Sequence, residues 1–294
     1  MWFKRIFAAL AVAASAGASA QTPISVTTSF SILGDLVHMV GGNRVAITTL
    51  VGPNEDAHVF EPKPADAKAI LQSRLVVSNG LGFEPWMEKL VKSAGYRGVS
   101  VIASTGVQPR KMEDDGHTIT DPHAWQNPAN VIVYVNNIRK ALEQLDPAGA
   151  AVYQANTSAY VAKLHALDTW AASQFAAVPA DKRKVITSHD AFGYFAARYQ
   201  LRFLAPQGMS TDGEASAKQV ATLIRQIQRE KIRAVFLENM ANPKLLEQLS
   251  KEAQVVPGDT LYADALSAAD QPGASYLKMA RHNITALVSG LQKN

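Results

Sequence analysis

Between Gly149 and Pro179 the chain runs without a single glycine or proline. Through this stretch Tyr153, Tyr160, Leu164, Leu167, Ala171 and Phe175 recur at helical spacing. The pattern predicts one helix over roughly residues 148–178, and thirty residues of helix would run about 45 Å, enough to span two lobes. Periodicity alone is also met by a surface helix of one lobe, but the flanking sequence favours a bridge. Before the stretch, β-prone runs at 24–28, 45–50, 75–78 and 99–102 alternate with helical segments at 33–40, 65–72 and 86–92. After Pro179 the rhythm restarts, with short runs at 185–187, 202–204 and 234–237 and helices at 192–199, 216–230 and 244–252. Strand-helix alternation predicts mostly parallel sheets flanked by helices. The expected architecture is therefore α/β, with lobes over 21–147 and 179–294 joined by one long rigid helix over 148–178. Such a rod resists wide hinge opening and favours small rotations.

The first twenty residues read as an export leader. Lys4 and Arg5 precede an apolar run from Ile6 to Ala14, then Ala18-Ser19-Ala20, and cleavage is expected after Ala20. The apolar run is far shorter than the roughly 20 residues that cross a bilayer. No cysteine occurs in the sequence, which removes disulfides, thiolate ligands and a lipid-bearing cysteine from consideration. A free periplasmic protein is the expected product. Loss of Lys4 and Arg5 lowers the formal charge from +4 to +2, with no basic run, so nucleic-acid binding has no support. About 274 residues remain, enough for two domains of ordinary size. A monomer is expected.

Three histidines lie in short segments suited to holding a metal: His58 in Gly52-Pro53-Asn54-Glu55-Asp56-Ala57-His58, His123 in Asp121-Pro122-His123-Ala124-Trp125-Gln126-Asn127-Pro128, and His189 in Thr187-Ser188-His189-Asp190. Asp264, in Leu261-Tyr262-Ala263-Asp264-Ala265-Leu266-Ser267, would add an oxygen. Three nitrogens and one oxygen suit a divalent transition metal. His58, His189 and Asp264 each follow a β-prone run, and the carboxyl ends of parallel strands are where open α/β sheets bind ligands. The Pro-framed turn around His123 is suited to fixing its ring. Glu55 or Asp56 are alternatives to Asp264 as the oxygen donor.

These segments, together with Asn79-Gly80-Leu81-Gly82, Glu61-Pro62 and His189-Asp190-Ala191-Phe192-Gly193-Tyr194-Phe195, closely resemble the solute-binding proteins of zinc and manganese ABC importers, the cluster A-I family of metal-binding and adhesin-like lipoproteins. The resemblance spans the mature chain. It implies two α/β lobes joined by a long helix, a metal in the cleft, and delivery to a permease in the inner membrane. It places His58, His123, His189 and Asp264 at the four ligand positions. Members that resemble manganese binders commonly have Glu where this chain has His189. Three imidazoles favour Zn2+, with Mn2+ or iron as the alternative. The segment from Lys111 to Thr120 is short and holds one histidine, His117, where many zinc-binding members carry a His-rich loop. Asn127 stands where many relatives have Asp.

Other readings fit less well. His117 suits a solvated loop, and His38, His165 and His282 fall in helical patterns as surface or packing residues. A zinc metallohydrolase would need an open coordination position, which a ligating Asp264 closes. The sequence has no His-Glu-x-x-His helix, glycine-rich phosphate loop or Gly-x-Ser-x-Gly turn. Glu214 and Glu238, candidate general bases, are accounted for by ion pairing and loop solvation. No repeat or stalk supports a surface adhesin. An enzyme is not expected.

Overall fold

The computed structural model describes residues 22–114, 116–209, 217–240 and 243–294. The leader over 1–20, Glu214 and the expected helix start at Ser216 lie outside them. Four parallel strands, β1 (Ile24–Phe30), β2 (Val45–Val51), β3 (Leu75–Ser78) and β4 (Val99–Ile102), form a sheet in the order β2-β1-β3-β4. Val26 of β1 stands opposite Ile47 on one side and Leu75 on the other. β1 is buried along nearly its whole length, as expected of a central parallel strand covered on both faces. The connections are α1 (Ser31–Gly41), α2 (Pro64–Gln72) and α3 (Pro85–Ser93). Pro64 and Pro85 stand at the first helical position, where the missing N–H has no intrahelical partner to lose.

Where the sequence reads as a short loop before His123, an antiparallel hairpin forms from β5 (Lys111–Asp114) and β6 (His117–Thr120). The helix α4 (Pro128–Leu145) follows. Next comes α5 (Ala150–Ala176), 27 residues and about 40 Å long. Its buried stripe is Tyr153, Thr157, Tyr160, Leu164, Leu167, Ala171 and Phe175, steps of three and four that keep one face inward. That face meets α1 and α4 from the first half, and also α6 (Gly193–Tyr199) and α9 (Tyr276–Leu291) from the second. The long helix thus joins the two halves.

In the second half β7 (Lys184–Ile186) pairs in parallel with β8 (Arg202–Leu204), and α7 (Ala217–Glu230) and α8 (Pro243–Ala253) pack together. The strand expected over 234–237 is reduced to isolated parallel bridges, Ile186 with Val235 and Glu238 with Leu261. Around the first bridge Ile186 N donates to Ala234 O and Phe236 N to Ile186 O, while on the other side Val235 N turns back to Arg233 O and does not pair with a further strand.

Two apolar cores result. The larger runs without a break from Ile24 to Leu291 and includes α1, α4, α5, α6 and α9 with Phe236 and Leu261. The smaller joins Ile186, Val220, Leu223, Ile224, Ile227, Val235 and Leu249 beneath α7 and α8. One core per lobe is the simpler expectation from the sequence. Instead α9, the last helix, buries Met279, Ile284 and Leu287 in the core that α1 and the first sheet also line. Among the described residues, no helix is long and apolar enough to cross a membrane.

Candidate metal centre

His58 lies in the loop after β2. Asn54 adopts a left-handed conformation (φ 57°) at the bend, and Gly52 N donates to Glu55 Oε2 at 2.7 Å. Glu55 thus caps its own exposed turn. Asp56 Oδ1 accepts from His58 N at 2.8 Å, and Trp86 Nε1 donates to Ala57 O at 2.7 Å, so both residues before His58 are fastened. The edge of Phe83 closes on the His58 ring, centroids 4.6 Å apart. Phe83 follows the run Gly80-Leu81-Gly82, all three at positive φ, which turns the chain sharply back toward the site.

His123 opens a single 3-10 turn over 124–126. Asp121 Oδ1 accepts from His123 N at 3.0 Å and lies 2.9 Å from His123 Nδ1. Nδ1 therefore carries the proton and Nε2 offers its lone pair inward. Pro122 O is held in turn by Asn79 Nδ2 at 3.0 Å, and Asn79 by Tyr134 and Ser104. Asn127 Oδ1 accepts from Ala129 N and caps α4; its side chain serves the helix that follows the turn.

His189 follows β7. Glu238 Oε1 accepts from Ser188 N at 2.8 Å and His189 N at 3.2 Å, while Oε2 pairs with His189 Nδ1. Glu238 is 1 % exposed, so the loop solvation expected from the sequence is not what accounts for it; its carboxylate is buried on His189. The remaining nitrogen, His189 Nε2, lies 2.9 Å from Asp264 Oδ2.

The four side chains converge. One donor atom from each of His58, His123, His189 and Asp264 lies within 4.8 Å of every other. His58 Nε2 is 3.3 Å from His123 Nε2 and 3.3 Å from Asp264 Oδ2, and His123 Nε2 is 3.8 Å from Asp264 Oδ1. Bonds of about 2.0–2.1 Å around a tetrahedral ion put neighbouring donors roughly 3.4 Å apart, within the 2.9–3.8 Å of these close pairs and less than the 4.8 Å that bounds the whole set. Asp264 Oδ1 is buried without a hydrogen-bond partner. A carboxylate oxygen in that condition is costly unless a cation meets it.

The electrostatics point the same way. Burial opposes protonation of His189, but Glu238 and Asp264 outweigh it and hold its pKa well above the usual value. Burial likewise pushes Asp264 up, and His189 and His123 overcome it and hold the carboxyl well below its ordinary range. Asp121, Glu238 and Asp264 bring three buried carboxylates to one spot. Arg110 Nε approaches Asp121 Oδ2 to 3.8 Å from the hairpin side. The chain alone thus concentrates negative charge around a ring of nitrogen lone pairs.

The other histidines stay apart. His38, His117 and His165 are exposed, and His282 Nε2 lies 2.8 Å from Thr260 O against the Tyr262 ring. Sequence reading missed Asp121 and Glu238 as supports. Asp121 was within reach, two residues before His123 in the same turn. Glu238 carries no local signal, since it stands 49 residues from His189.

Two α/β units bridged by one stiff helix, with inward-facing donors between them, are the build of a solute-binding protein. The chain belongs to the family described as "Zinc-uptake complex component A periplasmic", whose model matches residues 26–290. It is 31% identical over 270 residues to the manganese-binding lipoprotein MntA of Halalkalibacterium halodurans, covering 92% of this chain and 89% of that one. It is 29% identical over 290 residues to the iron-binding protein YfeA of Yersinia pestis, covering 98% and 93%. Among solved structures, the periplasmic zinc binding protein TroA of Treponema pallidum superposes with a TM-score of 0.86 at 28% identity, over 92% of this chain and 99% of that one. These relatives are named as binding proteins, not enzymes.

Proposed function

We propose that this protein captures a divalent transition-metal ion as cargo, with Zn2+ preferred, and delivers it to an ABC permease in the inner membrane. The observation that carries this is the convergence of three imidazole nitrogens and one carboxylate oxygen from His58, His123, His189 and Asp264. Membership in the zinc-uptake family and the relatives' names support a metal as the cargo and a transporter as the destination. Zinc is favoured because three of the four donors are nitrogen and the spacings suit four-coordination. Relatives named for manganese and iron keep Mn2+ and iron as the second reading.

The cargo is held without chemistry. Asp264 closes the shell, so no position remains at which a bound water would be activated. Asp121 and Glu238 fix the tautomers of His123 and His189 and make their inward nitrogens better donors. We place the protein free in the periplasm after cleavage behind Ala20. Relatives are named as lipoproteins, whereas this 294-residue sequence has no cysteine to carry a lipid. Mass measurement of the exported product tests this: a first residue of Gln21 and no added lipid mass is the expected result.

Elemental analysis of the purified protein, followed by competitive titration of the stripped protein with zinc and manganese, tests the cargo. One equivalent of zinc, held far more tightly than manganese, is expected. Comparable affinity for manganese would move the assignment to manganese, and absence of stoichiometric metal would overturn it. His189→Glu should shift preference toward manganese, because it trades a nitrogen for an oxygen. Affinity should also fall as pH is lowered, with the loss beginning above the ordinary imidazole range because Glu238 and Asp264 hold His189 well above it and favour its proton. Unchanged affinity between neutral and mildly acid pH would refute histidine ligation.

A further inference from the structure

The segment that carries Asp264 is fastened by the opposite half of the chain. Ala263 O accepts from Trp125 Nε1 at 2.9 Å and from Gln126 Nε2 at 2.7 Å, two residues of the turn that begins with His123. Beyond Asp264, Leu266 N donates to Ser31 Oγ at 2.9 Å, and Leu266 O accepts from Asn54 N at 2.9 Å, four residues before His58. Ala263 and Asp264 are fully buried and Gln126 is 5 % exposed, so water does not compete for these bonds. The residue just before this clamp has the other allegiance. Tyr262 N and O are both bonded to the Asn283 side chain of α9, at 3.0 and 2.7 Å. From Ala263 onward the backbone is bonded chiefly to the first half, with Asn239 reaching Ala265 O at 3.4 Å from the second.

We infer that Trp125 and Gln126 are positioning residues for Asp264. The His123 turn supplies one metal-facing nitrogen of its own and, through the Ala263 carbonyl, aims the carboxylate that faces it. Asp264 is thereby set by the same turn that presents His123, while His189 meets the carboxylate from the side held by Glu238. Sequence order divides the four residues two and two, whereas the backbone bonds of the Asp264 segment to Trp125, Gln126, Ser31 and Asn54 cross that division. The inference rests on the metal reading above.

A double-mutant cycle tests it. Gln126→Met keeps nearly the same volume and loses the donor. Zinc affinity of the stripped protein, measured by competition with a chromophoric chelator, should weaken roughly tenfold, the worth of one buried hydrogen bond. The visible spectrum of the Co2+-loaded variant should shift as the carboxylate is mis-aimed. In an Asp264→Asn background the same change should weaken binding less than about twofold, since nothing is left to aim. Trp125→Phe, read in both backgrounds, should repeat the pattern from the other donor and covers the case in which Gln126→Met does not fold. Undiminished affinity on removing either donor, or equal weakening with and without Asp264, would overturn the positioning role. If Asp264→Asn itself binds zinc like the unaltered protein, the ligand reading falls, and this inference with it.

Discussion

His123 and His189 are held by the same device in different surroundings. Each has its backbone N–H and its Nδ1 on one buried carboxylate, Asp121 for the first and Glu238 for the second. Asp121 lies two residues away within a Pro-framed turn resting on the larger core. Glu238 lies 49 residues away, just past a bridge to Val235 of the smaller core. One ring is oriented by its own loop, and the other only when a second element has docked. The first kind of support is stiff by construction, while the second is as firm as the packing beneath it.

Substitutions sharpen this contrast. Outer partners of metal-bound histidines are typically worth about 10–100-fold in affinity. Glu238→Gln should fall near the upper end, about a hundredfold, because it disturbs three donors at once, Ser188 N, His189 N and His189 Nδ1. Asp121→Asn should fall near the lower end, about tenfold, because the Pro-framed turn and Asn79 still hold the backbone of Pro122 and His123. Chelator competition on the two purified variants gives the ratio, and a larger loss from Asp121→Asn would break the comparison.

Ile227→Val removes one methyl from the smaller core at a cost of about 1 kcal/mol. Amide exchange in α7 and α8 should quicken about fivefold while α1 and α4 stay protected. Equal quickening in α1 would mean that the two cores open as one.

The smallest effect concerns the junction of α5 with α6, far from the site. Burial pushes the Asp168 carboxyl up, but Arg198 and Tyr199 outweigh it and hold its pKa below the usual value. Arg198 Nε and Tyr199 OH both reach Asp168 Oδ1 at 2.9 Å. A carboxyl depressed in the folded state stabilises above its unfolded pKa of about 3.9 and loses that contribution as pH falls through its folded pKa. The pair is partly exposed, so its worth is below about 1 kcal/mol. Thermal unfolding of Asp168→Asn should show a small deficit at neutral pH that shrinks below about pH 4. A deficit that grows in acid would contradict the assignment.

Much of the fold was legible from local signals. The long helix followed from a stretch free of glycine and proline, and the parallel sheet from strand-helix alternation. The β5–β6 hairpin was hidden because Lys111, Glu113, Asp114, His117 and Thr118 show no apolar alternation, although Asp115-Gly116 is a turn signal. The strand expected over 234–237 is present only as single bridges at Val235 and Glu238, which pair with different partners, Ile186 and Leu261. At the site, the ligand candidates were legible as short motifs. Asp121 lay in the same turn as His123, but the other supports were not legible, since Glu238 meets His189, and Gln126 meets Ala263, across separations of 49 and 137 residues that leave no trace in local sequence.

His58 and His123 lie 65 residues apart, and Asp264 stands 75 beyond His189, within thirty residues of the end of the 294-residue chain. A chain still emerging, or clipped short of residue 264, can offer at most three of the four donors and lacks the only carboxylate among them. The cluster therefore closes only after residue 264 has been made and packed against the segments that carry the three histidines.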